Sequence, residues 1–292
     1  MSLVTLKEIM KDAHQKGYAV GSFNVVNLEM VRGIIAAAER EKAPVILEFA
    51  QVHFPLVPFE TIVNIMVEAA KKAKTPVCVH FDHGDTFEAI VQGMKYGCTS
   101  VMVDRSNLEF EENIKQTKEI VKIAKVLGVS VEAELGALPA REGTEVIEGE
   151  AQIKAEDLYT DPQKAKAYVE TTEIDALAIA YGTVHGIYLK KPVIDFNRLA
   201  EINKAANIPL VMHGGSGLNE AEYKKSIELG INKINYYSCL SNNVAIKIKA
   251  KLDEMQKLGK TYYYHDINQW AIEFVKDEVS SVMRIFNSSG KA

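Results

Sequence analysis

The sequence repeats one pattern eight times: a short apolar run, followed by a longer segment in which apolar residues recur every three or four positions. The short runs are typical of buried β-strands, and the longer segments are typical of amphipathic helices. The strands are predicted at residues 18–24, 44–49, 76–81, 100–103, 129–135, 176–180, 208–212 and 231–236. Eight strands that alternate with eight helices predict a closed parallel barrel, the (β/α)8 or TIM barrel of the α/β class.

The length of the chain agrees with one such barrel. A chain of 292 residues is about twice a typical domain length, but barrels of this kind reach that size as one unit, so we predict a single domain over residues 1–292. A doubly wound open sheet is the alternative, and no G-x-G-x-x-G sequence follows the first strand to support it. An additional amphipathic helix over residues 267–286 is predicted to pack under the barrel or against a second subunit.

Charge and cysteine usage exclude several classes of protein. The formal charge is -5, and no long basic run is present, so a nucleic-acid partner is not expected. Three widely spaced cysteines favour neither a disulfide framework nor a thiolate metal cage, and they fit a reducing cytoplasm. No signal-peptide apolar region and no run of 18 apolar residues is present, so no membrane association is predicted.

The apolar run V-C-V-H-F-D-H-G at 77–84 ends abruptly in a carboxylate, an imidazole and a glycine. Asp82 and His83 can converge on one ligand only if the strand ends there, and Gly84 is predicted to provide the backbone freedom for that bend. In this interpretation His83 binds a metal, Asp82 is a base and His80 orients Asp82. The alternative is that Asp82 or Asp85 merely caps the helix that follows.

Three histidines share one context, because His83, His185 and His213 each follow a predicted strand and each precede a glycine. Imidazoles from several strand ends of a barrel converge on one mouth, and three of them are a usual ligand set for catalytic zinc. Asp104 and Glu134 lie at two further strand ends and suit a second metal position or support for the histidines. His53 follows the second strand and could line the same pocket.

A glycine run at the seventh strand indicates an anion site. Gly214, Gly215, Ser216 and Gly217 lead into a helix that begins near Asn219, where free backbone N–H groups and the helix dipole attract phosphate. Barrels often bind phosphate in the loops after strands seven and eight. A turn without a ligand is the alternative interpretation.

Taken together, these segments resemble the class II, zinc-dependent ketose-bisphosphate aldolases, which include the fructose- and tagatose-bisphosphate enzymes. The resemblance runs from Leu6 to the C-terminus. It rests on G-S-F-N at 21–24, H-F-D-H-G at 80–84, V-D at 103–104, E-A-E-L-G at 132–136, Y-T-D-P at 159–162, G-T-V-H-G at 182–186, H-G-G-S-G at 213–217 and K-I-N at 233–235.

The resemblance implies a role for each matching residue. His83, His185 and His213 would bind Zn²⁺, with Asp104 and Glu134 near an alternative metal position, and Asp82 would exchange a proton with the donor ketose phosphate. Glu142, eight residues beyond Glu134, falls where the family has an acid that protonates the aldehyde oxygen. The donor phosphate would be held by Gly186, Gly214, Ser216 and Ser238, often beside Na⁺ or K⁺. The predicted substrate-binding set is completed by Asn24, Gly215, Asn235 and Tyr237.

The chain departs from the family pattern where the aldehyde half of the substrate would bind. The loop at 139–143 reads P-A-R-E-G, Ala50 stands where a serine often contacts substrate, and Tyr236 and Tyr237 replace residues that are usually small or acidic. The residue at 237 would touch the acceptor half, so the identity of the aldehyde is open.

The resemblance therefore predicts a lyase that reversibly cleaves a phosphorylated ketose, of the fructose or tagatose 1,6-bisphosphate type, into dihydroxyacetone phosphate and an aldehyde through a zinc-stabilised enediolate. Its partner is a small phosphorylated sugar, and the protein is expected to be a homodimer or homotetramer. Two alternatives remain open: a barrel metallohydrolase that activates water with the same histidines, and a binding protein that retains zinc and phosphosugar without turnover.

Overall fold

Eight parallel strands close into a barrel in the computed structural model, which describes residues 2–136, 158–186 and 192–292. The described strands are β1 (Leu3–Val4), β2 (Val20–Asn24), β3 (Val45–Ala50), β4 (Val77–Gly84), β5 (Ser100–Val103), β6 (Ser130–Leu135), β7 (Ala176–Ile179), β8 (Leu210–Met212) and β9 (Ile231–Asn235). Strands β2 to β9 follow one another around the barrel, and β9 pairs with β2 to close it. The predicted TIM barrel is confirmed, and the open sheet is excluded.

Helices surround the strands. The described helices are α1 (Leu6–Lys16), α2 (Leu28–Glu41), α3 (Phe59–Lys72), α4 (Phe87–Tyr96), α5 (Phe110–Leu127), α6 (Pro162–Thr172), α7 (Phe196–Ala206), α8 (Glu220–Glu228), α9 (Ser238–Lys257) and α10 (Tyr264–Ile285). The alternative interpretation of Asp82 or Asp85 as a helix cap is wrong, because the side chain of Thr86 caps α4.

The N-terminal helix α1 closes the bottom of the barrel. Its apolar face packs against inward-pointing strand residues in a cluster that contains Leu6, Ile9, Met10, Ala13, Val20, Ile46, Cys78, Met102, Ala176, Ala178 and Val211. A capping box between Thr5 and Glu8 begins the helix, and this T-x-x-E signal was present in the sequence.

The additional C-terminal helix α10 lies elsewhere. It packs on the outside of the barrel against α2, where Gly33 approaches Val275 so closely that an added Cβ would lie 2.6 Å from its Cγ1 atom. Of the two positions predicted for this helix, the one under the barrel is therefore wrong, because α1 already occupies that end. Packing of this helix against a second subunit stays a prediction. No described helix has the length and hydropathy that a membrane span requires.

Candidate active site

The carboxyl ends of the strands gather polar side chains at one mouth of the barrel. Asp82 and His83 lie on β4, and Asn24 and Asn235 end β2 and β9. His213 directly follows β8, and His185 lies in the loop after β7. The barrel thus brings together residues that are up to 211 positions apart in the chain, Asn24 and Asn235.

A β-bulge aims both Asp82 and His83 into this mouth. Between β4 and β5 the register advances from Phe81 paired with Val101 to Gly84 paired with Val103, so β4 carries one extra residue. His83 has φ of 44°, a left-handed conformation that costs a histidine on the order of 1 kcal/mol. The bend therefore belongs to His83, and the prediction that Gly84 provides it is wrong.

Gly84 is needed for a different reason. A Cβ atom at this position would lie 2.4 Å from Ile90 Cγ1 and 2.7 Å from the carbonyl oxygen of Met102. The strand continues through Gly84 instead of ending before it, and helix α4 packs against its backbone. Gly84 thus permits a close approach of backbone and helix.

The three histidines meet as a cluster. His83, His185 and His213 each offer a ring nitrogen, and these nitrogens lie within 4.8 Å of one another. The ring centroids are 4.7 to 5.9 Å apart, and His83 Nε2 lies 3.0 Å from His213 Nδ1.

Carboxylates hold the opposite ring nitrogens of two of these histidines. His83 Nδ1 lies 2.9 Å from Asp104 Oδ2, and His213 Nε2 lies 2.8 Å from Glu132 Oε1. An ionised carboxylate only accepts, so it fixes the proton on the nitrogen beside it and leaves a lone pair on the nitrogen that faces the cluster. Imidazole ligands of a metal are oriented in this way, and the donor set therefore fits a divalent ion such as zinc.

The electrostatics of the cluster favour a cation. Burial disfavours the protonated form of His83, but the carboxylates of Asp82 and Asp104 outweigh burial and raise its pKa well above the usual value. For His213 burial prevails, and its pKa is lowered despite the hydrogen bond to Glu132. The same negative potential that attracts a proton to His83 would stabilise a metal ion.

Asp82 is fully buried beside the histidines. Its Oδ2 atom accepts a hydrogen bond from Asn24 Nδ2 at 3.1 Å, and its Oδ1 atom accepts one from Asn235 Nδ2 at 3.3 Å. Burial raises the pKa of Asp82, but positive charge on His83 and Lys233 outweighs burial and holds the pKa of Asp82 well below the usual range. Asp82 is therefore an ionised carboxylate with a fixed orientation.

Two amides orient Asp82, whereas His80 was predicted to do so. His80 Nδ1 instead forms a 2.8 Å hydrogen bond with Ser100 Oγ, and burial lowers the pKa of His80 to about 3. Asn24 was predicted as a substrate-binding residue, but both of its amide hydrogens go to carboxylates, those of Asp82 and Glu48. Substrate contact by Asn24 stays a prediction, and its visible role is to position Asp82.

A buried lysine lies below the site, and the sequence interpretation missed its role. Lys233 is fully buried, with its Nζ atom 2.9 Å from Glu132 Oε2 and 3.5 Å from Glu48 Oε2. The pKa of Lys233 is raised because the two carboxylates outweigh its burial, and that of Glu132 falls to about 2 although burial opposes it. The Lys233 ammonium group thus lies between two carboxylates, that of Glu132, which binds His213, and that of Glu48, which binds Asn24. The signal was a lysine in an apolar strand, on the same face as Asn235 two residues later.

Asp104 and Glu134 lie beside His83, as their strand positions predicted. Atoms of these three residues come within 4.8 Å of one another and form a second group that could hold a metal. The Glu134 Oε2 atom is buried without a hydrogen-bond partner among the described residues, and burial together with Asp104 raises the pKa of Glu134 well above its usual value. A metal ion at this group would supply the missing partner.

The glycine run after β8 lies against the loop that carries His185. Gly214 has φ of 60°, and a Cβ there would lie 2.6 Å from the carbonyl oxygen of Val184 and 2.9 Å from the amide of His185. Gly186 and Gly217 also have positive φ, at 89° and 102°. Ser216 is buried in the run, and Gly215 approaches the Met212 sulfur. Only glycine at position 214 allows the two loops to lie this close.

The first turn of α9 lies next to the glycine run. Ser238 is the first residue of this 20-residue helix, directly after β9 and the Tyr236–Tyr237 pair. The first amide N–H groups of a helix have no partner within it, so a negative group can bind there. Asn235 contributes one more polar atom, because its buried Oδ1 atom accepts from no described residue.

The remaining predictions concern the rim. Tyr237 is 9% exposed, and its ring lies 4.8 Å from that of His53, whose two nitrogens are buried without partners among the described residues. A cavity of about 900 Å³ opens beside His83, Glu134 and His185. Glu142 and the loop at 139–143 lie outside the described residues.

Comparison with known proteins agrees with this geometry. The family model described as "Fructose-bisphosphate aldolase class-II" matches residues 4–291. A Bacillus subtilis protein named as a probable fructose-bisphosphate aldolase is 40% identical over the whole of both chains. The fructose-bisphosphate aldolase of Geobacillus stearothermophilus is 39% identical over 100% of this chain and 99% of its own. The crystal structure of the YdjI aldolase from Escherichia coli K12 superimposes with a TM-score of 0.87 at 36% identity, covering 99% of each chain.

Proposed function

Because the chain belongs to the class-II fructose-bisphosphate aldolase family, and so is a carbon–carbon lyase, we propose that it is a zinc-dependent enzyme that reversibly cleaves a ketose phosphate. The products are dihydroxyacetone phosphate and an aldehyde, and the substrate is of the fructose or tagatose 1,6-bisphosphate type. The observation that carries the proposal is the histidine cluster, whose nitrogens lie within 4.8 Å of one another beside the buried Asp82 carboxylate.

His83, His185 and His213 hold the zinc ion in this proposal, and Asp104 and Glu132 orient two of the imidazoles. A bound divalent ion is a Lewis acid that polarises a carbonyl group and lowers the pKa of the neighbouring C–H group. Asp104 and Glu134 also provide a second position to which the ion could move.

Asp82 moves the proton of the donor. In the synthetic direction it removes a proton from the hydroxyl-bearing carbon next to the carbonyl group, and in the cleavage direction it returns that proton. Asn24 and Asn235 hold both carboxylate oxygens, so Asp82 acts from a fixed orientation. Positioning of this kind removes orientational entropy from the reaction.

The donor phosphate binds at the glycine run and the first turn of α9. Gly186, Gly214, Gly215, Ser216 and Ser238 supply backbone N–H groups and hydroxyls, and positive φ at Gly186 and Gly214 supports such an anion-binding concavity. A monovalent cation, Na⁺ or K⁺, would accompany the phosphate. Asn235 Oδ1 is available to a donor hydroxyl group.

Glu142 is proposed to exchange a proton with the aldehyde oxygen, and Tyr237 is proposed to contact the aldehyde half. Tyr237 is buried against His53, so the two rings would act as one wall of the acceptor site. The enzyme is further proposed to act in the cytoplasm as a homodimer or homotetramer.

The test is a cleavage assay with fructose 1,6-bisphosphate and tagatose 1,6-bisphosphate, in which triose phosphate and free phosphate are both measured. Triose phosphate should form, vanish with a chelator and return with zinc. Asp82→Asn should be inactive while retaining zinc, and Asp253→Asn, at an exposed position on α9, serves as the control. Free phosphate without triose phosphate would instead identify a metallohydrolase. Binding without cleavage of any ketose phosphate would identify a binding protein.

A further inference from the structure

One wall of the cavity beside the histidines contains a buried arginine that no step above uses. The cavity is bounded by the loops that follow β3, β4 and β5, and Arg105 lies in the β5 loop directly after Asp104. Arg105 is buried, with only 7% of its surface exposed. Nothing in the sequence distinguished it from an ordinary surface arginine.

Among the described residues, only neutral groups accept hydrogen bonds from the Arg105 guanidinium. Nε donates to Gln116 Oε1 at 2.6 Å, and Nη1 donates to the carbonyl oxygens of Gly84 and Asp104 at 2.9 and 2.6 Å. Within the described ranges no carboxylate lies within 4.0 Å of its nitrogens, and no group accepts from Nη2.

An arginine in this environment is costly unless an anion accompanies it. Removing a guanidinium from water is unfavourable, and hydrogen bonds to neutral carbonyl groups compensate for only part of the lost hydration. The three bonds also fix the plane of the guanidinium, so Nη2 is held ready for an incoming acceptor. Arg binds planar or tetrahedral oxyanions well with such a preoriented fork.

The position of Arg105 relates it to the proposed phosphate site. Around the eight-stranded ring, β5 is four strands from β9, and β4 is four strands from β8. Arg105 after β5 therefore lies across the mouth from Ser238 after β9, with His83 on β4 facing His213 after β8. A ketose that is anchored by its donor phosphate and extends past the histidines directs its aldehyde half toward this wall.

We propose that Arg105 binds the anionic end of the aldehyde half, a phosphate or a carboxylate, through its Nη2 group. The inference rests on the proposed aldolase function and adds the residue that binds the charged end of the aldehyde. Three nearby carboxylates could repel this anion, but their charges are compensated or solvated. Asp104 is hydrogen-bonded to His83 and Ser106, and Asp85 and Glu88 lie exposed at the rim. Asn107 lines the same wall, and its side-chain amide can donate to the anion.

The experiment measures aldol addition of dihydroxyacetone phosphate to three aldehydes with zinc present. Glyceraldehyde 3-phosphate carries a phosphate, succinic semialdehyde carries a carboxylate, and glyceraldehyde is neutral. Arg105→Gln should raise KM for at least one anionic aldehyde by about 10-fold to 100-fold, the loss of a charge-assisted hydrogen bond, with a far smaller change for glyceraldehyde. The aldehyde that is affected identifies phosphate or carboxylate as the ligand. Arg105→Lys keeps the positive charge but loses the planar guanidinium, so its KM for the anionic aldehyde should lie between those of the wild type and Arg105→Gln. Arg40→Gln, at an arginine on α2, is the control.

Exchange of the donor C–H proton with solvent is measured in parallel, because it needs zinc and Asp82 but no aldehyde. Absence of exchange in the wild type would contradict the proposed function itself. Retained exchange with equal changes of KM for charged and neutral aldehydes would overturn the Arg105 assignment and leave the aldolase proposal intact. If Arg105→Gln does not fold, the KM values of the wild-type enzyme for the aldehydes provide the test. At low salt, KM should be at least tenfold lower for an anionic aldehyde than for neutral glyceraldehyde. Equal KM values would overturn the inference.

Discussion

Replacing Glu132 by glutamine should weaken metal binding by reversing one hydrogen bond. Glu132 Oε1 accepts from His213 Nε2 at 2.8 Å, and Oε2 lies 2.9 Å from Lys233 Nζ. Glutamine has the same shape, but only one of its two terminal atoms accepts. Lys233 can only donate, so the glutamine oxygen must face Lys233 and the amide NH₂ must face His213 Nε2. The proton of His213 then moves to Nδ1, the nitrogen that faces His83 at 3.0 Å.

A metal needs the lone pair of that Nδ1 atom. Loss of a group that fixes a metal-ligating imidazole typically costs 10-fold to 100-fold in metal affinity, about 1.4 to 2.8 kcal/mol. The other orientation of the glutamine would place its NH₂ against the Lys233 ammonium in a fully buried site, which costs at least as much. Zinc affinity should be measured by competition with a chromophoric chelator, with circular dichroism to verify folding.

Glu48→Gln is the matched control. Glu48 Oε2 also lies near Lys233 Nζ, at 3.5 Å, but Glu48 contacts Ser22 and Asn24 rather than a histidine of the cluster. Both variants remove one buried negative charge beside Lys233, so both should lower the free energy of unfolding. Zinc affinity should fall only in Glu132→Gln and stay within about threefold of wild type in Glu48→Gln. Equal losses in the two variants, or no loss in Glu132→Gln, would refute the tautomer argument.

Four further predictions follow from the site and its supports. Asp82→Asn should keep zinc and slow donor C–H exchange by about 10²-fold to 10⁴-fold; unchanged exchange, read by NMR in deuterium oxide, would remove it as the base. Tyr237→Ala should change the ratio of kcat/KM for fructose and tagatose 1,6-bisphosphates by about tenfold, roughly 1.4 kcal/mol, whereas a constant ratio with a lower Tm would make Tyr237 a packing residue. Gly84→Ala should destabilise the protein by about 1 to 3 kcal/mol in urea unfolding, because the Cβ atom collides with Ile90 and a backbone carbonyl; unaltered stability would contradict that packing. Burial raises the pKa of Glu278, but hydrogen bonds from Lys247 and Asn243 outweigh burial and lower it, so Glu278→Gln should cost about 1 kcal/mol at pH 7 in the same unfolding assay; this cost should shrink as the pH falls from the ordinary glutamate pKa through the lowered pKa of folded Glu278, and a cost that stays constant in acid would contradict the reasoning.

The barrel and most of the groups at its mouth could be predicted from the sequence. Strand and helix periodicities report which face of each element is buried, and eight repeats of that pattern permit few closed arrangements. Because the carboxyl ends of parallel barrel strands share one mouth, the positions of Asp82, His83 and His213 after apolar runs predicted that they would meet. The structure brings their side chains together as this argument requires.

Local conformation at the site depended on pairing between strands. The bulge arises because three residues of β4 oppose two of β5, and only the register of the closed sheet defines that mismatch. Sequence reasoning placed the bend at Gly84 since glycine tolerates positive φ, yet His83 carries it while helix α4 occupies the space beside Gly84. The N-terminal helix likewise occupies the position under the barrel, which was one of the two positions predicted for the C-terminal helix.

The groups that support the site were decided by tertiary structure alone. Lys233 meets Glu48 and Glu132 inside the barrel because β9, β3 and β6 point these side chains inward at similar depth, although the residues are 185 and 101 positions apart. Arg105 looked like any loop arginine, and only the packing of β4 and β5 buried it against two carbonyl groups. Periodicity indicates that a side chain is buried, but which polar groups satisfy it depends on closure of the barrel, because that alone sets distances between residues far apart in the chain.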